Sequence, residues 1–142
     1  MTIIKGQCYN CDNLIEIEVQ QTMIREKLKW YLSYDCKFCN ASVQIDDVNL
    51  LPEDIRQKVF IEEGEWEILV ENFDKHKQSV IKCLRHLLDL STIDLYQKIK
   101  ETKIKSGAIY NGTKFEVDWL YSCMQTNGIE SIVKQCKKAL ES

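Results

Sequence analysis

Cys8-Tyr9-Asn10-Cys11 and Cys36-Lys37-Phe38-Cys39 decide the reading of this chain, because two residues between paired cysteines let a tight turn aim both sulfurs at one point. The 24 residues between Cys11 and Cys36 suffice for a hairpin that brings the pairs together. Four thiolates converging at this spacing are the donor set of a tetrahedral zinc ion. Asp12, Asn13 and Asn40 follow the pairs, and these residue types tolerate the positive φ that such turns need. Four cysteine ligands leave no open position for water, so the expected ion is a single structural Zn2+ on Cys8, Cys11, Cys36 and Cys39 rather than a catalytic one. Two disulfides, or four unrelated buried thiols, compete for the same cysteines; the paired spacing favours the metal.

Between the pairs, Ile15-Glu16-Ile17-Glu18-Val19 alternates apolar and polar, and Lys29-Trp30-Tyr31-Leu32-Ser33-Tyr34-Asp35 is rich in strand-favouring aromatics. Val43-Gln44-Ile45 is a third short alternation. Residues 1–48 are therefore expected to form a small β zinc ribbon whose metal supplies much of its folding free energy, on the order of 10 kcal/mol for isolated zinc fingers.

The only proline, Pro52, divides the chain. It suits the first turn of a helix running from Glu53 to Ile61, with early acids complementing the helix dipole and Ile55, Val59 and Phe60 on one stripe. Residues 49–64 read as a linker helix that stops at Gly64. A second domain over 65–142 then opens on the alternating strand Trp66-Glu67-Ile68-Leu69-Val70. Val80, Ile81, Leu84, Leu87 and Leu88 repeat at helical spacing up to about Asp89. Ser91 with Asp94 starts a further helix carrying Leu95, Tyr96 and Ile99, followed by an extended piece around Ile104 to Tyr110. Thr113 and Glu116 form a capping box for a third helix with Phe115, Trp119, Leu120, Cys123 and Met124 inward. Asn127-Gly128 ends that helix, and Ile129 to Val133 is a closing strand. The fold class is α+β: a zinc ribbon, then a β-α-α-β-α-β domain with a three-stranded sheet and helices on one face.

Lys77-Gln78-Ser79-Val80-Ile81-Lys82-Cys83-Leu84-Arg85, followed by Leu90 and Asp94 and continuing through Gly107 and Asn127-Gly128 to about Val133, resembles the C-terminal domain of the bacterial ribosomal stalk protein, the L-seven/L-twelve family. The likeness covers roughly half the chain. In that family the first-helix face recruits translational GTPases, and Lys77, Ile81, Lys82 and Arg85 match positions of that surface. Gln78 stands where the family has an apolar contact residue, and Asp89, Ser91, Thr92, Ile93 and Tyr96 replace its glycines, leucine and lysines. Those replacements alter the shape and charge of the surface. With a ribbon where the stalk has dimerisation helices and a hinge, the resemblance implies a bacterial protein joining a zinc ribbon to a stalk-like domain rather than a stalk subunit.

At 142 residues, 44% hydrophobic and 29% charged, the composition is that of a globular protein, and a net charge of −3 provides no general field for nucleic acid. Lys98, Lys100, Lys103 and Lys105, with Lys134, Lys137 and Lys138, read as solvated faces. No apolar run approaches the roughly 18 residues of a membrane span, and Cys83, Cys123 and Cys136 bring the cysteines to an odd seven, so a reducing, cytoplasmic setting is expected. Those three cysteines read as small core or surface residues. Catalytic constellations are thin: Cys83 with His86 has the spacing of a nucleophile–base pair, but Cys83 falls on the apolar side of its helix and packs better than it reacts. The functional expectation is a non-catalytic module that binds a protein partner. An inhibitor or immunity-type protein with one target, and a ribosome- or nucleic-acid-associated factor, are the alternatives.

Overall fold

Alternating side chains build the first sheet. In the computed structural model, which describes residues 1–137, strands Thr2–Gln7 (β1), Leu14–Ile24 (β2), Lys27–Asp35 (β3) and Ser42–Val48 (β4) pair antiparallel in sequence order. The register sets Ile4 opposite Ile17, Val19 opposite Leu32 and Tyr34 opposite Val43. Ile4, Ile17, Val19, Trp30 and Tyr34 are buried together, whereas their outward neighbours Lys5, Glu18 and Asp35 are exposed. Three short strands were expected here; the structure adds β1 and lengthens β2. At Gly6 a Cβ would come within 2.6 Å of Ile17 Cδ1, so a larger residue there would make the Ile17 side chain shift. The β2–β3 turn is made by Arg25 and Glu26, both at positive φ (51° and 63°).

Glu53–Glu63 (α1) begins after Pro52 and ends at Gly64, whose φ is 85°. Glu53 and Asp54 occupy its first turn. Ile55 and Val59 pack into the first sheet's core with Leu51.

In the second sheet, Glu65–Val70 (β5) is central, flanked antiparallel by Tyr110–Gly112 (β6) and Ser131–Lys137 (β7). Helices Lys77–Leu84 (α2), Thr92–Ser106 (α3) and Lys114–Thr126 (α4) share a core with the β5 side chains Trp66, Ile68 and Val70. The molecule is thus a mixed α+β structure with two antiparallel sheets. Among the described residues no helix is long and apolar enough to cross a membrane.

Local bounds differ from expectation in three places. The helix expected to reach Asp89 ends at Leu84, and a turn closed by Leu87 N–H to Leu84 O lets Leu87 and Leu88 enter the core without continuing the helix. The extended piece expected from Ile104 is the last turn of α3. Ile104 is 88% exposed, and Gly107, at φ 80°, is the stop. The closing strand starts at Ser131 rather than Ile129, because Ile129 donates its N–H to Met124 O and is buried ahead of the strand. Lys138 lies outside the described residues.

The N-terminal part has its own core and also reaches into the second one. Leu28, Met23 and Leu50 from the N-terminal part pack with Ile68, Leu84 and Leu120. Beside this contact Arg56 of α1 makes paired hydrogen bonds to Glu116 of α4, Nη1 to Oε2 at 2.7 Å and Nη2 to Oε1 at 2.8 Å. Glu116 is 0% exposed. Tyr110 OH donates to Glu116 Oε1 at 2.7 Å, and Gln21 Nε2 to Oε2 at 2.7 Å. A Cβ on Gly112 would collide with the Glu116 carboxylate and the Tyr110 ring, so only glycine fits there.

Candidate metal centre

Two matching turns carry the cysteines. In the first, Cys8 N–H donates to Asn13 O at 2.9 Å and Asp12 N–H to Cys8 O at 2.9 Å; in the second, Cys36 N–H donates to Ala41 O at 2.8 Å and Asn40 N–H to Cys36 O at 3.0 Å. Asp12 and Asn40 take the left-handed conformation at φ 61° and 63°, in place of glycine. The first turn joins β1 to β2 and the second joins β3 to β4. Because the sheet is a meander, both turns fall at the same end and face each other.

The four sulfurs lie within 4.8 Å of one another. Cys8 Sγ is 3.6 Å from Cys39 Sγ, and Cys11 Sγ is 3.6 Å from Cys36 Sγ. A tetrahedral ion with sulfur at about 2.3 Å sets sulfur–sulfur edges of about 3.8 Å, so the group fits a metal ion and none of its pairs is at disulfide distance. Cys8 and Cys36 are buried, and Cys11 and Cys39 are half-buried.

Donors around the sulfurs prepare thiolates. Asn10 N–H points at Cys8 Sγ from 3.4 Å, and Asn13 Nδ2 donates to Cys11 Sγ at 3.2 Å. Hydrogen bonding from the Asn10 side chain and the Ala41 backbone outweighs desolvation and lowers the Cys39 thiol to about 6. Desolvation pushes Cys8 up, but the backbone N–H groups of Asn10 and Cys11 overcome it and hold the thiol below its usual value. At Cys36 burial wins, and the thiol rises to about 11. A cation brought into the group offsets that burial cost, since metal binding and thiol deprotonation are linked.

Of the residues expected on a partner face, Lys77, Lys82 and Arg85 are exposed and Ile81 is not. Ile81 is only 5% exposed and belongs to the core. Lys77 ion-pairs with Asp74 at 3.4 Å, and Lys82 and Arg85 are exposed further along α2. A groove of about 250 Å³ instead runs between α3 and the start of α2. Phe73, Tyr96 and Ile99 line it, Lys77, Lys100 and Lys103 border it, and Ile104 forms its lip. Lys103 Nζ sits 4.5 Å from the Phe73 ring centre. Lysines read from sequence as a solvated face are thus seated around an aromatic floor, which the spacing of Lys100 and Lys103 by three alone does not distinguish.

Cys83 and Cys123 depart from the expectation of separate small residues: they are joined as a disulfide between α2 and α4. Their 40-residue separation carries no pairing signal. His86 does not serve Cys83 as a base; its Nδ1 lies 3.1 Å from Glu26 O, and its ring meets Trp119 edge-on at 5.4 Å.

Comparison with protein-family models, curated proteins and solved structures returns no match.

Proposed function

We propose that this protein is a non-catalytic binding module in which one structural Zn2+ on Cys8, Cys11, Cys36 and Cys39 holds the N-terminal sheet and the C-terminal half receives a protein partner. The observation that carries the reading is the closed set of four converging sulfurs, which leaves no ligand position for substrate or water. Zinc is favoured over other soft cations because it accepts four thiolates tetrahedrally without redox demands; iron is the competitor for the same geometry. Metal analysis of protein produced with both metals present tests this, with one zinc per chain expected. Metal-free protein with ordered cysteine turns would overturn it.

For the partner, the groove over Phe73 and Tyr96 with its lysine border suits an acidic segment carrying one aromatic or aliphatic anchor. Lys82 and Arg85 extend the same charge along α2. The strand–helix–helix–strand–helix–strand order of the C-terminal half supports the stalk-like reading, and translational GTPases are the partner class that reading brings. The replacements at Asp89, Ser91, Thr92, Ile93 and Tyr96 favour a different protein of acidic surface. An acidic peptide with a central phenylalanine is expected to bind about tenfold more weakly to Lys100→Glu/Lys103→Glu, with a shallower salt dependence. Unchanged affinity and salt dependence would remove the groove; binding of nucleic acid in its place would favour the ribosome- or nucleic-acid-associated alternative, and tight one-to-one inhibition of a captured enzyme the inhibitor alternative.

A further inference from the structure

Six of the seven cysteines fall into two groups held by opposite chemistry. Four converge as a group that could hold a metal ion, an arrangement that works only where thiols persist. Cys83 and Cys123 are bonded to each other. A disulfide beside a thiolate centre is either permanently shielded or exchangeable, and exposure separates the two cases. Cys83, on the buried side of α2, is 1% exposed. Cys123 on α4 is half-buried, which makes it the more accessible of the two residues to an attacking thiolate.

The surroundings suit exchange at that sulfur. Asn127, at the end of α4, is exposed, and its Nδ2 is anchored by donating to Cys123 O at 2.8 Å. The same nitrogen lies 3.7 Å from Cys83 Sγ and 3.9 Å from Cys123 Sγ. A fixed N–H donor beside both sulfurs stabilises whichever leaves as thiolate, and it compensates the buried Cys83 in particular.

We propose that Cys83 and Cys123 form a reversible thiol–disulfide couple that clamps α2 to α4, closed by a peroxide and opened by a dithiol reductant. In opening, the reductant's thiolate attacks Cys123 Sγ, the sulfur–sulfur bond breaks, and Cys83 leaves as a thiolate that takes a proton. The reductant's second thiol then attacks the mixed disulfide, releasing Cys123 as a thiol and the reductant as its own disulfide. In closing, the Cys123 thiolate attacks peroxide to give a sulfenic acid and hydroxide, which takes up a proton as water. The Cys83 thiol condenses with the sulfenic acid, releasing a second water. Both directions transfer two electrons.

The clamp acts on more than two helices. His86, just beyond the end of α2, reaches Glu26 O in the β2–β3 turn and meets Trp119 of α4 edge-on. Opening the clamp therefore loosens the tie between α2 and the tip of the first sheet.

The test uses the full chain with its metal bound. After treatment with one equivalent of hydrogen peroxide or with excess dithiothreitol, thiols are alkylated and mapped by mass spectrometry while zinc content is measured. Cys83 and Cys123 are expected to be protected together after peroxide and labelled together after dithiothreitol, with zinc retained. The thermal midpoint is expected to fall on reduction by on the order of 10 °C, as for opening a loop of this length. In Cys123→Ser the midpoint is expected to be insensitive to both reagents and to match the reduced wild type. Cys83 and Cys123 remaining alkylatable after peroxide, or resisting dithiothreitol, would overturn the proposal; so would a midpoint shift that occurs only with zinc loss or persists in Cys123→Ser.

Discussion

The two ends of the N-terminal sheet are held by different means. At the cysteine end Cys8 and Cys36 are buried with Tyr34 and Ile17, while Tyr9, Leu14 and Phe38 are 73%, 74% and 66% open to solvent. At the opposite end the sheet runs into the C-terminal half, where Leu28 is buried in the common core and Arg56, Glu116, Tyr110 and Gln21 satisfy one another. At the first end four cysteines are placed where they could hold a metal ion. The second needs every partner in place, because a buried charge stripped of its counter-charge is far costlier than a missing apolar contact. The polar joint ties α1 to the C-terminal half through Arg56 and Glu116.

Removing the ion breaks the comparison most severely. Cys36→Ser deletes one ligand and leaves three thiolates around a weakened site, forfeiting a large part of the roughly 10–16 kcal/mol typical of structural zinc binding. Limited proteolysis is expected to cut the chain before Leu50 while the core around Leu84 and Leu120 stays protected. Cleavage at equal rates in both halves would show that the joint transmits the loss through the whole molecule.

At the joint, Arg56→Ala leaves Glu116 buried without its cation and is expected to cost about 3–5 kcal/mol by denaturant unfolding. Replacing both partners, with Arg56→Met and Glu116→Leu, is expected to recover much of that cost. A double variant as unstable as the single one would show that Tyr110 and Gln21, rather than the ion pair, set the energetics.

The same pair gives the joint an acid limit. Burial alone raises the Glu116 carboxyl, but the Arg56 guanidinium, with Tyr110 and Gln21 donating, outweighs it and holds the carboxyl below its ordinary value of 4.5. A depressed native value means that the stabilisation is complete above the unfolded-state value and is lost as pH falls below it. Stability is therefore expected to decline below pH 4.5, with a smaller slope in Glu116→Gln. Since acid strips thiolate-bound zinc from both proteins alike, the difference between the two curves isolates the joint.

Local signals in the sequence carried over where one residue dictates its own conformation: Asp12 and Asn40 in the turns, Gly64 and Asn127 at helix ends, Ser91 and Thr113 at helix starts. Signals failed where the cause lay elsewhere in the chain. β1 is hidden because Thr2-Ile3-Ile4-Lys5-Gly6-Gln7 alternates poorly, and the Arg25–Glu26 turn lacks the Asn-Gly chemistry that marks such turns. Arg56 sits between Ile55 and Val59 on a helix and reads as solvated charge until Glu116, sixty positions away, is brought to it. The converging cysteines were legible from spacing; the Cys83–Cys123 bond, between helices far apart in sequence, was not.

The smallest effect separates two caps with similar sequence signatures. Ser91 Oγ accepts Asp94 N–H at 3.2 Å on the exposed start of α3. Thr113 Oγ1 accepts Glu116 N–H at the same 3.2 Å, but it is buried, also donates to Gln21 Oε1 at 2.6 Å, and belongs to a complete capping box. Water replaces the lost hydrogen bond at the first cap and cannot readily reach the second. Ser91→Ala is expected to cost about 0.5–1 kcal/mol, the low end for a lost N-cap, and Thr113→Ala about 2 kcal/mol or more, because Gln21 is left unpaired as well. Denaturant midpoints measured at constant m-value decide between the two. Equal losses would mean that Gln21 finds another partner and that the joint is less tightly specified than its hydrogen bonds indicate.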